Sequence, residues 1–342
     1  MTHQPTDTID KTTRRKVLQS LGLATMAMSP LKALSQSNLL PIDQVKIICG
    51  FPAGGTADTT SRRVGDKWAG SAYARNPALV ENKTGAGGRI AIEAVKNAAP
   101  DGSTLLLSAY SMLLIYPHIY KTLPYDPFKD FAPVAMASVL SHGLAVGPIV
   151  PTSVKTVKHF VAWCKANPER ANYASPAAGS TPHFLGALLS LNTGVPMTHV
   201  AYRGSVPGVT DVIGGQIAAM FTPHGDFLAN HRAGKLRILA TSGKSRSPFV
   251  PEVATFAEQG FPDLTVEEWF GFFAPAKTPA SVVAAANTAI NQALKDKSVI
   301  DSLALQGLLP LGGSSDDMAK DMRRQYDYWG PVVKRIGFSA ES

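Results

Sequence analysis

The chain has 342 residues, 45% of them hydrophobic and 17% charged, with a formal net charge of +8. That balance excludes an intrinsically disordered chain, and the length allows two domains with a substantial core. Lys and Arg are scattered rather than gathered into a basic run with interleaved aromatics, so the charge is no nucleic-acid footprint and reads as a mild bias towards anionic ligands.

Residues 1–35 carry the three-part layout of a secretion signal. A polar, basic segment ends in Thr13-Arg14-Arg15-Lys16, an apolar stretch covers residues 17–28, and Ala33-Leu34-Ser35 supplies small residues before an expected mature start at Gln36. The paired arginines resemble a twin-arginine signal, with Val17 and Gln19 where that pattern prefers Phe and Lys. A membrane anchor is the competing reading, but spanning takes roughly 18 apolar residues and this run is shorter.

From residue 45 onward, short apolar runs bounded by Gly or Pro alternate with amphipathic stretches. Strands are expected over 45–51, 78–82, 103–109, 133–139, 144–148, 172–175, 198–202, 217–222, 236–241 and 268–274. Helices are expected over 56–69, 89–98, 154–167, 181–192, 206–214, 279–295 and 318–336. Ser153 is the expected cap of the helix that carries Val157, Phe160, Val161 and Cys164 on one face, and Asn167-Pro168 ends it. This order implies an α/β fold of mainly parallel sheets with helices on both faces. Cys49 and Cys164 read as buried free thiols, a long-range disulfide being the alternative. Two cysteines do not make a zinc site, and neither a metal nor a cofactor is expected.

Sheets of this kind bind ligands beyond the carboxyl ends of their strands, and two strand-to-helix loops stand out. The first is Phe51-Pro52-Ala53-Gly54-Gly55-Thr56-Ala57-Asp58. Its glycines let the backbone turn and present N–H groups, and the following helix adds partial positive charge. Thr56 adds a hydroxyl, and Asp58 suits the first turn or orients the loop. A bulky side chain at Gly54 is expected to block a ligand and spare the fold. A tight turn with a capping acid is the plain alternative. The second loop is Ser175-Pro176-Ala177-Ala178-Gly179-Ser180-Thr181-Pro182-His183, where Ser180 or Thr181 caps a helix and both hydroxyls can hold an anion. A plain N-cap is the alternative there.

Together the loops suggest two helix N-termini converging on one carboxylate. Of the dispersed histidines, His183, His199 and His224 lie nearest the expected cleft. Gly85-Ala86-Gly87-Gly88 fails the dinucleotide fingerprint, because Ile90 occupies its last glycine or alanine position. The chain has no Gly-x-Ser-x-Gly elbow, P-loop or His-Glu-x-x-His, so no enzyme is expected.

An ordered set of short motifs runs nearly the length of the chain. Phe51-Pro52-Ala53-Gly54-Gly55-x-x-Asp58 is followed by Val80-Glu81-Asn82-Lys83-x-Gly85-Ala86-Gly87-Gly88 and Pro100-Asp101-Gly102. Leu123-Pro124-Tyr125-Asp126-Pro127, Tyr173-Ala174-Ser175 and His199-Val200-x-Tyr202-x-Gly204 come next, before Asp211-x-x-Gly214-Gly215-Gln216, Ala233-Gly234-Lys235-Leu236-Arg237 and Trp269-Phe270-Gly271. The set resembles the tripartite tricarboxylate transporter substrate-binding proteins, also called Bug-type receptors.

The resemblance implies a two-lobed, type II periplasmic binding fold with a hinge of crossing strands. Lobe 1 is expected over 41–142 and 255–342, and lobe 2 over 143–254. It further implies a monomeric periplasmic protein that delivers a small mono- or dicarboxylate to membrane transporter subunits, or senses it for a membrane kinase. A secreted α/β hydrolase is the reading from another class. In such proteins the loop like 51–58 binds a ligand carboxylate through backbone groups and ordered water, and the loop like 175–181 closes on it. Ser108, Ala109 and Tyr110, on to Ser111, and the Tyr202-Arg203-Gly204 segment are then expected to line the cleft, with Thr222 selecting the ligand's far side. Arg203 either pairs with a second carboxylate or lies solvated. Several departures put a relative's ligand in doubt here, among them Pro176-Ala177-Ala178 in a loop usually rich in Gly and Ser, and Thr222-Pro223-His224 in place of a more usual Asp-Asn pair.

Overall fold

In the computed structural model, which describes residues 1–2 and 41–340, ten strands form two sheets that share one long member. The export signal expected over 1–35 lies outside the described residues, apart from the first two.

β1 (Lys46–Cys49), β2 (Leu79–Asn82) and β3 (Thr104–Ala109) make a parallel trio with β1 at its centre. Ile47, Cys49, Leu105 and Leu107 enter one core, whereas Ile48 and Leu106 enter another on the opposite face. Burial on both faces is why β1 and β3 read as apolar runs. Helices Thr56–Gly65 and Ala280–Ala293 cover the first face through Ala57, Val64, Ala286 and Ile290. Helix Arg89–Lys96 covers the second through Ala91, Ile92 and Val95.

A second parallel trio has β5 (Asn172–Ser175) between β6 (Thr198–Ala201) and β7 (Ala219–Pro223). Helices Val157–Ala166 and Thr181–Thr193 pack on one face and helix Ser205–Ile213 on the other.

The crossing strand is β4 (Phe131–Val146). It runs antiparallel to β9 (Glu267–Pro275) over Phe131–Ser141, and then antiparallel to β7 and β8 (Arg237–Thr241) over His142–Val146. β9 also pairs with β3, and β10 (Leu309–Pro310) adds to β4. The expected parallel arrangement therefore holds within each trio, and the hinge strands run against it. Sequence reading splits β4 in two because Ser141, His142 and Gly143 interrupt its apolar run. That polar stretch is the point where the strand changes sheets, with His142 buried instead of standing in a turn.

Helix Ser315–Ile336 opens with a capping box between Ser314 and Asp317. Met318, Met322 and Trp329 pack against the first sheet, whereas Val332 and Ile336 reach the core of the second. Sequence expectations change at one helix cap and at the short helices. The cap of helix Val157–Ala166 is Thr156, which accepts the His159 N–H at 3.2 Å, and not Ser153. Short helices Tyr110–Leu114 and Tyr116–Ile119 follow β3 directly, and helix Lys297–Leu305 precedes β10. Cys49 and Cys164 are free thiols in separate cores, pushed by burial up to about 11 and about 12. Among the described residues no helix is long and apolar enough to cross a membrane.

Candidate ligand-binding cleft

The segments that leave β1, β3, β5, β6 and β7 meet the crossing strands β4 and β9 around one cleft that is partly open to solvent. This is the switch-point location where an open α/β sheet accepts ligands.

On the β1 side, Phe51, Pro52, Gly55, Thr56 and Ala57 line the space. Asp58 lies behind them. It accepts the Gly54 N–H at 3.0 Å, the Arg62 Nε–H at 3.0 Å and the Asn82 amide at 2.9 Å. Burial pushes the Asp58 carboxyl up, but Arg62, the Gly54 N–H and Asn82 outweigh it and hold the group below its usual value. Asp58 thus orients the loop without touching the cavity. Ala53 and Gly54 also stay out of the lining. Gly54 has φ +88° and a side chain there would enter open space, so bulk at this position does not block the cleft as expected. Gly55 is the position that does face inward: a Cβ there would stand 3.4 Å from Ser205 Oγ and 3.9 Å from Asp226 Oδ1. Among the described residues the N–H groups of Gly55 and Ala57 have no partner, as befits the free first turn of a helix.

Of the second loop, Ser180 lines the cleft together with Pro176 and Pro182. Ser180 caps helix Thr181–Thr193, and its hydroxyl donates to the Ala177 carbonyl at 2.7 Å. Ser175 and Gly179 shape the loop from behind, and Thr181 is buried outside the lining with its hydroxyl unpartnered among the described residues. Ser175 Oγ donates to the Ala177 carbonyl at 2.9 Å and lies 2.7 Å from His199 Nε2, while the Gly179 N–H donates to His183 Nδ1 at 3.0 Å. His183 and His199 stack with ring centroids 3.8 Å apart, and burial depresses them to about 3 and about 4. They are neutral supports of the loop, and His224, held between Ser141 and Ser247, is likewise outside the lining.

At the end of β3, Ala109, Ser111 and Met112 reach the cleft. Ser108 turns back to its neighbour's carbonyl, and the Tyr110 hydroxyl accepts the Trp329 indole N–H at 3.2 Å, so neither lines it. Tyr202 donates to Asp211 at 2.6 Å and Arg203 is exposed; both point elsewhere. Gly204 has φ +103°, and a Cβ there would strike Pro52 Cδ at 2.3 Å, so this glycine permits the segment after β6 to touch the first loop. The next residue, Ser205, lines the cavity, as does Thr222.

Besides Ser205, three polar residues of the cleft escape sequence reading. On the floor, Glu268 of β9 accepts the Ser111 N–H at 3.0 Å. His142 Nε2 of β4 lies 2.9 Å from Glu268 Oε2, at ion-pair distance but out of line for a hydrogen bond, so both ring nitrogens are buried without a partner. The third is Asp226, just past β7. It reaches across to the first loop, accepting the Thr56 N–H at 3.1 Å and the Thr222 hydroxyl at 3.0 Å. One helix N-terminus expected to be wholly free for a ligand is thus partly taken by the chain's own carboxylate. Burial raises the Asp226 carboxyl despite help from Ser205, Thr222 and Thr56.

Asp226→Asn keeps an acceptor for Thr56 and removes the costly charge, so stability should hold or rise. Asp226→Ala orphans both donors and should cost about 1–3 kcal/mol. Urea denaturation compares the two, and equal midpoints would mean that the bridge carries no weight.

Comparison with known proteins places these features in context. The model of the tripartite tricarboxylate transporter family receptor matches residues 69–338. The chain is 32% identical to protein BugT of Bordetella pertussis over 323 residues, covering 94% of this chain and 98% of that protein. A solved periplasmic transporter superposes with a TM-score of 0.82 at 36% identity, covering 87% of this chain and 99% of the other. MatC of Rhodopseudomonas palustris, solved with bound malate, gives a TM-score of 0.80 at 29% identity, covering 86% and 99%.

Proposed function

The chain belongs to the tripartite tricarboxylate transporter receptor family, which comprises substrate-binding receptors and not enzymes, and from that premise we propose that it captures a small carboxylate in the periplasm. The captured acid passes to membrane transporter subunits, the receptor acting as a monomer. The layout of residues 1–35 supports export. One observation carries the reading of the site: unpartnered N–H groups of Gly55 and Ala57 stand on one side of a cleft that Ser180 and Ser205 border from the other. Helix N-termini aimed at a shared cavity favour an anion without needing a cationic side chain. The malate bound by MatC supports the same ligand class.

Closure is a rotation of 41–142 with 255–342 against 143–254 about β4 and β9, ending with Gly204 against Pro52. The ligand-contacting set is then Phe51, Pro52, Gly55, Thr56, Ala109 and Ser180 with Thr222, joined by Ala57, Ser111 and Ser205. Ala53, Gly54, Asp58, Ser175 and Gly179 act by shaping the loops.

Thermal unfolding against a panel of carboxylates tests the proposal. A ligand at a hundred times its Kd contributes about 2.7 kcal/mol, enough to raise Tm by several degrees. A flat response across aliphatic, aromatic and amide-bearing acids would contradict it.

A further inference from the structure

The polar groups around the cleft are unevenly matched in charge. Asp226 and Glu268 bring two carboxylates, and among the described residues no Lys or Arg lines the same space. His142 supplies the one imidazole. Its Nε2 stands 2.9 Å from Glu268 Oε2.

The floor is also short of hydrogen bonds. Glu268 is 2% exposed, yet it accepts one in-line bond, from the Ser111 N–H at 3.0 Å. A carboxylate offers about four acceptor positions. Beside it, Ser111 Oγ and both His142 nitrogens are buried with no partner. Buried polar groups left this way in an apolar wall, here Met112 and Phe270, mark a place where something else completes them.

We infer that the ligand carries, at the end opposite its carboxylate, a nitrogen that donates hydrogen bonds (an ammonium or a carboxamide), and that Glu268 receives it. The inference rests on the carboxylate-receptor reading above. One end of the ligand meets the N–H groups of Gly55 and Ala57 and the Ser180 hydroxyl; the other meets the floor. A second carboxylate at the floor would stand against Glu268 in a site of low polarity, where like charges repel far more strongly than in water. A nitrogen donor there supplies what Glu268 lacks. Selection therefore combines a reward with a repulsion, and it would separate this receptor from MatC, whose bound ligand, malate, has two carboxylates.

Titration calorimetry with succinate, succinamate, 4-aminobutanoate and butanoate varies one end of a four-carbon acid. The same four ends are then placed on five-carbon and para-substituted benzoate frames. In the frame that fits, a nitrogen-bearing acid should bind at least tenfold more tightly than its dicarboxylate. Glu268→Gln, checked for an unaltered Tm, should weaken the ammonium ligand at least tenfold; if that variant fails to fold, the wild-type series decides alone. Dicarboxylates that bind as tightly as their nitrogen analogues, or an ammonium ligand indifferent to Glu268→Gln, would overturn the inference and leave the carboxylate reading standing. Silence from every acid in all three frames would overturn both.

Discussion

Leucine in place of Gly55 is expected to abolish ligand-induced stabilisation and to raise Kd at least a hundredfold, a loss of about 2.7 kcal/mol. Gly55 sits at φ −80° and ψ 172°, extended backbone that any residue adopts, so the substitution stores no strain. Its Cβ would project towards Ser205 and Asp226, and the rest of the side chain would fill the cleft beside the N–H groups offered to a ligand. The unliganded protein should lose no more than roughly 1 kcal/mol, the usual cost of an apolar residue at a helix N-cap. Gly54→Leu is the contrasting control. At φ +88° it pays about 1–2 kcal/mol in backbone strain, but its side chain enters open space. Calorimetry on both variants separates blockage from destabilisation. Normal affinity in the Gly55 variant would place the site elsewhere.

Lowering the pH from 7 to 5 should destabilise the unliganded protein by about 4 kcal/mol through His183 and His199 alone. Burial holds the two rings at about 3 and about 4, whereas an unfolded histidine titrates near 6.5. Between those values the unfolded chain binds protons that the folded chain refuses. Stability is therefore full above about pH 6.5 and drains away as pH falls towards the folded values. Each ring accounts for about 2 kcal/mol by pH 5, and together they should lower Tm by about 10 °C. Other groups titrate in the same range, so the informative quantity is the difference between wild type and His199→Gln, which should lose roughly half of the slope. Identical slopes would contradict a neutral stacked pair behind the second loop.

The parts of the fold legible in sequence are those where burial is complete and boundaries are marked. β5 falls on the expected residues because Tyr173 and Ala174 are buried in a short segment closed by Pro176. Helix Thr56–Gly65 begins where expected because Gly54-Gly55 ends the preceding extended chain. Helices Tyr110–Leu114 and Tyr116–Ile119 were hidden because nearly every residue there is apolar, which leaves no contrast between faces.

The site was half legible for a different reason. A loop of glycines and hydroxyls announces exposed N–H groups, and both such loops do border the cleft. Spacing cannot say which glycine looks inward, and the backbone angles of Gly54 and Gly55 decide it. His142, Asp226 and Glu268 come from three distant segments. A single polar residue in an apolar run looks like an interruption until the sheets bring it beside its partners.

Because β4 threads both sheets without a break, the halves of this molecule are not beads on a string. Closure as proposed would be torsion along one ribbon, accompanied by β9 and steadied by helix Ser315–Ile336. Severing the chain within 131–146 would cut that torsion spring itself. New termini opened in the segment between β8 and β9 would leave the spring whole, which recommends that segment as the place to re-enter the chain in a circularly permuted receptor.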